Sequence, residues 1–174
     1  MSNYKLSIPI RFTKECQLYD KNNNVLFTIN GFHRRIFERL LYLIRLQINL
    51  KGTDNNGTFV RVIHKPFKES GFKGKWDVFI YNFDKEVAHY SIINNTKIKT
   101  EMNMEYHKGN SIIKMTSSTL DKKLYFQELQ SSKVVATGDM PRIYLKQLDY
   151  EILDNSFIES WEVPLLYYLF LSWK

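Results

Sequence analysis

Val163-Pro-Leu-Leu-Tyr-Tyr-Leu-Phe-Leu-Ser-Trp173 is apolar on every side, and a helix with that property has to be buried. Trp161, Phe157 and Ile158 precede it, and Glu159, Glu162 and Lys174 bracket it. Crossing a bilayer takes about 20 apolar residues, and the brackets leave roughly ten, so the segment does not read as a membrane span. Pro164 suits the first turn of such a helix, where its missing N–H costs no intrahelical bond. The remaining place for it is inside the protein, and the rest of the chain has to supply the container.

That container reads at period two, the pattern of antiparallel strands with one wet and one buried face. In Lys97 to Tyr106, the residues Ile98, Thr100, Met102, Met104 and Tyr106 share one face, while Lys97, Lys99, Glu101, Asn103 and Glu105 share the other. His107-Lys-Gly-Asn110 then supplies a turn. The same alternation follows in Ser111 to Ser117, Lys123 to Leu129, Lys133 to Thr137 and Arg142 to Leu153. Upstream, Trp76 to Phe83 and Val87 to Ile93 flank Asp84-Lys-Glu86, and Leu46 to Leu50 and Thr58 to Ile63 flank Asn55-Asn-Gly57. Tyr4 to Phe12 and Val25 to Ile29 are joined through Asp20-Lys-Asn-Asn-Asn24. Roughly eleven or twelve strands result, and closure into a barrel is the economical arrangement because it leaves no exposed edge. The expected fold is therefore mainly β: a closed antiparallel barrel of about 12 strands around a central apolar C-terminal helix, with residues 1–174 as one domain. One stretch departs from the alternation. Phe32 to Leu43 spaces Ile36, Leu40 and Leu43 at helical intervals and predicts a short amphipathic helix.

In order and pattern the chain resembles the tubby C-terminal-like family, which includes LURP-one-like proteins, and within it a branch of small bacterial proteins. The resemblance is carried by Asp20-Lys-Asn-Asn-Asn-Val-Leu-Phe-Thr-Ile-Asn30, by Lys73-Gly-Lys-Trp-Asp-Val-Phe-Ile-Tyr81, and by a last strand, Tyr144 to Leu153, running into a helix from Ser156 to Trp173. It implies a barrel threaded by its C-terminal helix and, because tubby domains bind phosphoinositides, a binding module without catalysis.

The residues supply little chemistry of their own. His33, His64, His89 and His107 have neither H-E-x-x-H spacing nor a C-x-x-C companion, and the single cysteine, Cys16, has no second thiol with which to form a disulfide or a zinc site. There is no G-x-S-x-G elbow, and Gly71 and Gly74 lack P-loop spacing. Asp149, Glu151 and Asp154 alternate with Tyr150 and Ile152, as on a solvated strand face. Neither an enzyme nor a cofactor is expected. With no secretory leader pattern at the N-terminus, a cytoplasmic protein is expected.

The net charge of +7 and pI near 9.3 favour acidic partners, although soluble proteins also carry such an excess without an acidic ligand. Two basic clusters stand out. Arg61, Lys65, Lys68, Lys73 and Lys75 interleave with Phe67, Phe72 and Trp76, and Arg34, Arg35 and Arg39 accompany Phe32 and Phe37. Basic residues among aromatics suit an anionic membrane surface or another phosphate-bearing ligand, which places the protein in the cytoplasm with peripheral membrane attachment. The alternative is a scaffold recognising an acidic protein through aromatic anchors steered by arginines. Nucleic acid is disfavoured, since no RNA- or DNA-binding motif is present. The sequence does not set an oligomeric state.

Overall fold

Strands form where apolar and polar residues alternate, and each ends at a cluster that turns the chain. The structure, a computed structural model, describes residues 2–7, 15–32, 48–70, 74–96, 103–118, 122–139 and 147–173. Within these residues the strands are β1 (Ser2–Ser7), β2 (Cys16–Tyr19), β3 (Val25–Gly31), β4 (Leu50–Asp54), β5 (Thr58–His64), β6 (Lys75–Asn82), β7 (Lys85–Asn94), β8 (Asn103–Lys108), β9 (Ser111–Ser118), β10 (Lys123–Glu128), β11 (Lys133–Asp139) and β12 (Gln147–Ile152). A four-residue helical turn, α1 (Phe67–Ser70), follows β5, and the helix α2 (Glu162–Trp173) ends the chain. Every strand pairs antiparallel with its neighbours in sequence, and β1 also pairs with β12, from Ser2↔Ile152 to Ser7↔Gln147. The ring therefore closes with no free edge.

A ring with an even number of antiparallel strands sends alternate connections to opposite ends. At one end, here the turn end, lie the connections 20–24, 55–57, 83–84, 109–110 and 129–132, together with 153–161 leading into α2. At the other, the loop end, lie 8–15, 32–49, 65–74, 95–102, 119–122 and 140–146. Helix α2 enters from the turn end. Residues 161–169 are all buried, which is more than two full turns, so the helix is enclosed on every side and lies within the barrel.

Two fixtures hold it. At its start, the fully buried Glu162 carboxylate accepts hydrogen bonds from the Tyr106 hydroxyl (2.8 Å), the Glu159 N–H (2.7 Å) and the Lys108 ammonium (2.9 Å). Burial pushes this carboxyl up, while Lys108 and the other donors pull it down. Further along, the Tyr167 hydroxyl donates to the Asp139 carbonyl (2.8 Å) and its ring packs against Phe126. The Tyr167 hydroxyl occupies the space that a β-carbon at position 138 would need, which accounts for Gly138 near the end of β11.

Several expectations change. The strand expected at Leu46 to Leu50 begins at Leu50 and runs to Asp54, with Ile48 and Asn49 outside it. Gly52 lies within β4 and faces inward, where the Phe27 ring fills the place its side chain would take. Strand β2 was not expected, because the four residues Cys-Gln-Leu-Tyr give little alternation to read, though Cys16 and Leu18 are buried. Helix α2 starts at Glu162 and not at Ser156, since Asp154 accepts from the Ser156 N–H (3.0 Å) and hydroxyl (2.6 Å) and holds a turn there. Of the expected helix at Phe32 to Leu43, all but Phe32 lies outside the described residues, as do residues 8–12, 97–102 and 142–146 of three expected strands.

Replacing Leu169 by Asp places an unpaired charge inside the barrel, a cost of several kcal/mol against a total stability of about 5–15 kcal/mol. Chemical denaturation of Leu169→Asp is expected to show no cooperative transition, and a well-folded variant would mean that α2 is not the core. Gly138→Ala is expected to lose roughly 1–3 kcal/mol through overpacking against Tyr167. A double-mutant cycle with Tyr167→Phe, which removes the clashing oxygen, is expected to recover part of that loss.

Candidate functional site

The basic segment is built on the β5–β6 pair. Alternation turns Val60, Val62 and His64 inward and Phe59, Arg61 and Ile63 outward, while on β6 Lys75, Asp77, Phe79 and Tyr81 face out. The ladder continues past its last pair, His64↔Trp76, because the Lys65 N–H donates to the Lys75 carbonyl (2.8 Å). Lys65 and Lys75 are therefore side by side where the barrel wall meets the loop end. Lys68, on α1 in the connection that joins them, is exposed. Among the described residues, Lys68 and Lys75 make no ion pair.

The other members are placed differently. Lys65 reaches back to Asp77 (3.1 Å), which also faces the His89 imidazole (3.3 Å), so part of its charge is answered locally. Arg61 lies farther down the wall, with its guanidinium 5.5 Å from the centre of the Phe32 ring, a cation–π distance. Lys73, Arg34, Arg35 and Arg39 lie outside the described residues. The two ends of the connection that carries those arginines are nevertheless rooted beside the β5–β6 junction. The Phe32 N–H donates to the Asn49 carbonyl (3.0 Å), the His64 N–H donates to the Asn49 side chain (2.9 Å), and the Trp76 indole donates to the Ile48 carbonyl (3.0 Å). Both basic clusters thus belong to adjoining connections at one end of the barrel.

The remaining candidates have structural partners. Cys16 is buried and its thiol donates to the Ser7 carbonyl (2.8 Å); burial pushes the thiol up to about 12, so it is held protonated and unreactive. His64 is buried against Trp76, with ring centres 5.0 Å apart, and burial lowers its pKa to about 4. His89 stacks on Phe79 (4.5 Å, 9°), and His107 faces Glu105 (3.2 Å). Asp154 pairs with Lys133 (2.5 Å), and Asp149 and Glu151 point outward from β12. Among the described residues, no group of three His, Cys, Asp or Glu is placed to hold a metal, and no helix is long and apolar enough to cross a membrane.

One feature had no local sequence signal. Strands β11 and β12 pair only from Ala136↔Ile152 to Gly138↔Tyr150, and where they part a groove of about 420 Å³ opens on the barrel wall. Asp139 and Asp149 flank it, with Lys5 and Lys123 on the outer strands. These residues come from strands far apart in sequence, and only closure of the ring through β1 and β12 brings them together. The mixed charge gives the groove no preference for either sign of ligand.

The family described as Tubby C-terminal like domain matches residues 3–172 of the chain. No curated protein sequence matches it. The X-ray structure of a protein from Arabidopsis thaliana superposes with a TM-score of 0.53 at 13% identity, covering 97% of this chain and 90% of that one. At that identity the likeness is one of fold.

Because His64 has a folded pKa near 4 against an ordinary value of 6.5, the unfolded chain binds a proton between those values that the native state does not. This contribution to stability is complete above pH 6.5 and is lost as pH falls towards 4. Urea denaturation across that window is expected to show a stability drop on acidification of up to about 3 kcal/mol from this group, and a smaller drop in His64→Gln. Equal slopes in the two proteins would mean that His64 is not held neutral by burial.

Proposed function

The chain belongs to the tubby C-terminal-like family, and from that premise we propose that it is a non-catalytic binding module for anionic phospholipid at the cytoplasmic face of a membrane. The supporting observation is the convergence of Lys65, Lys68 and Lys75 at the β5–β6 junction, beside the roots of the connection carrying Arg34, Arg35 and Arg39. Each basic residue near an anionic bilayer contributes about 1 kcal/mol, so a handful gives reversible and salt-sensitive attachment. Arg61 contributes less, since it lies on the wall over Phe32.

The scaffold alternative requires exposed aromatics next to arginines. Among the described residues the most exposed large apolar side chains are Phe83 (78%) and Val87 (60%), at the turn end with Asp84 and Glu86 as neighbours and away from Lys65, Lys68 and Lys75. Single-stranded nucleic acid calls for free aromatic faces. On this wall Phe79 is covered by His89, and Phe59 packs against Tyr81. Lipid is the ligand class that uses the basic end without either requirement.

Purified protein is expected to co-sediment with phosphatidylserine-containing vesicles and not with phosphatidylcholine alone, with binding falling as salt rises. Changing Lys65, Lys68 and Lys75 to Ala is expected to reduce binding by two orders of magnitude or so. Asp77→Asn, which releases Lys65 from its partner, is expected to strengthen binding at little cost in stability, because exposed ion pairs contribute about 0–1 kcal/mol. Absence of binding to either vesicle would rule the lipid reading out.

A further inference from the structure

Two side chains on the barrel wall beside the β5–β6 junction share a single acceptor. The Oδ1 atom of Asp77 lies 3.1 Å from the Lys65 ammonium and 3.3 Å from Nε2 of His89. With the imidazole neutral the three groups carry no net charge, because the carboxylate offsets Lys65. With the imidazole protonated they carry one positive charge, and a single carboxylate has two cations to answer. Geometry decides which of the two Asp77 keeps. His89 is held flat against Phe79, with ring centres 4.5 Å and planes 9° apart, so its nitrogen stays at Asp77 without further ordering. Protonation adds a charge-assisted hydrogen bond and a cation–π contact at that position. Lys65 reaches the same oxygen through a flexible four-carbon stem and regains rotamer freedom on letting go.

Position decides what the released charge does. Lys75 pairs with Ile93 and Phe79 with His89, so His89 lies four residues down the ladder from the junction. That is about 13 Å, more than one Debye length at physiological salt, and a charge on the imidazole itself is screened from a surface at the loop end. Lys65 stands at the junction beside Lys75, and its amine can extend towards such a surface once Asp77 no longer holds it. The other charged and titratable groups around His89 are Tyr81 on β6, Arg61 on β5 beyond Phe79, Glu86 on its own strand and His107 on β8. Arg61 lies over Phe32 and His107 faces Glu105 (3.2 Å), so neither competes for Asp77.

We propose that His89, Asp77 and Lys65 form a proton-controlled relay: a proton taken up by His89 on the wall frees Lys65 at the junction, so attachment to an anionic bilayer tightens on acidification through the range in which imidazoles change charge. The proposal rests on the lipid reading above and adds its regulation. By linkage, an anionic surface that draws Lys65 away from Asp77 favours protonation of His89.

The test measures binding of the full chain to phosphatidylglycerol-containing vesicles, whose phosphodiester keeps its charge, at about pH 7.5 and about pH 5.5. The lower value stays above the region near 4 in which His64 takes up its proton. The wild type is expected to gain about fivefold more affinity on acidification than Lys65→Gln, in which the relay has nothing to release. His89→Gln is expected to lose the same gain, Asp77→Asn to bind tightly at both values, and the control His107→Gln to respond as the wild type does. Equal gains in the wild type, Lys65→Gln and His89→Gln would overturn the relay and leave the lipid reading in place. A gain lost in His89→Gln but kept in Lys65→Gln would overturn it too, because the imidazole would then act through its own charge. Failure of the wild type to bind these vesicles at either pH would remove the lipid reading and the relay together.

Discussion

The rest of the molecule depends on keeping α2 out of water. A helix with no polar face, entering at the buried Glu162, is stable only if something surrounds it completely. Its twelve residues make a rod about 18 Å long, which matches strands of six to eight residues tilted around it. Enclosure demands a closed ring, and antiparallel closure between the first and last strands demands an even number of strands. With twelve, the N-terminal strand β1 seals against β12, immediately before the chain turns inward. The helix can therefore enter at one end only. That end is finished by the turn at 153–161 and by the hydrogen bonds around Glu162, and the longer connections gather at the other.

An interior this aromatic has to answer the polar atoms that large side chains bring with them. The hydroxyls of Tyr106, Tyr150 and Tyr167 donate to Glu162, the Ser160 carbonyl and the Asp139 carbonyl respectively. Burial raises the pKa of all three phenols well above the ordinary value, so they remain donors. Each bond links the barrel with α2 or with the segment leading into it, and together they fix the helix along the axis and in rotation. Apolar contact alone would permit it to slide. The glycines at 52 and 138 follow from the same packing, because the Phe27 ring of the neighbouring strand and the Tyr167 phenol of the central helix use the space of their missing side chains.

How much of this was legible in the sequence follows from the range of each interaction. The apolar run at 163–173 and the period-two segments are local, and they were enough for the barrel and its central helix. Strand β2 escaped because four residues hold too little alternation, and β4 runs on through Gly52, whose side-chain place is filled by the Phe27 ring, a contact that the local pattern does not carry. The bonds of Glu162 to Tyr106 and Lys108 span more than fifty residues and have no sequence signature. The basic segment was read as one cluster, but distance along the strands divides it: Lys65 and Lys75 stand side by side at the junction, while Arg61, on the same face and farther down the wall, meets Phe32.

The described cations separate what folds the protein from what it presents outward. Among the described residues, Lys65 and Lys68 on the 65–74 connection take no part in holding α2, whose ionic contact, Lys108 with Glu162, sits at the turn end. Connections of this kind can change length and composition at small thermodynamic cost, because closing a longer loop adds only about 0.6 kcal/mol per doubling. The walls are constrained in the opposite sense: the strands hold nine Lys and Arg against eight Asp and Glu, of which Glu128 is buried, and each stands at a fixed place in the ladder. A scaffold with a rigid axial plug can therefore vary its connections at little cost in stability. The same barrel could bear a different ligand specificity by changing loops alone, with every residue that touches the helix left in place.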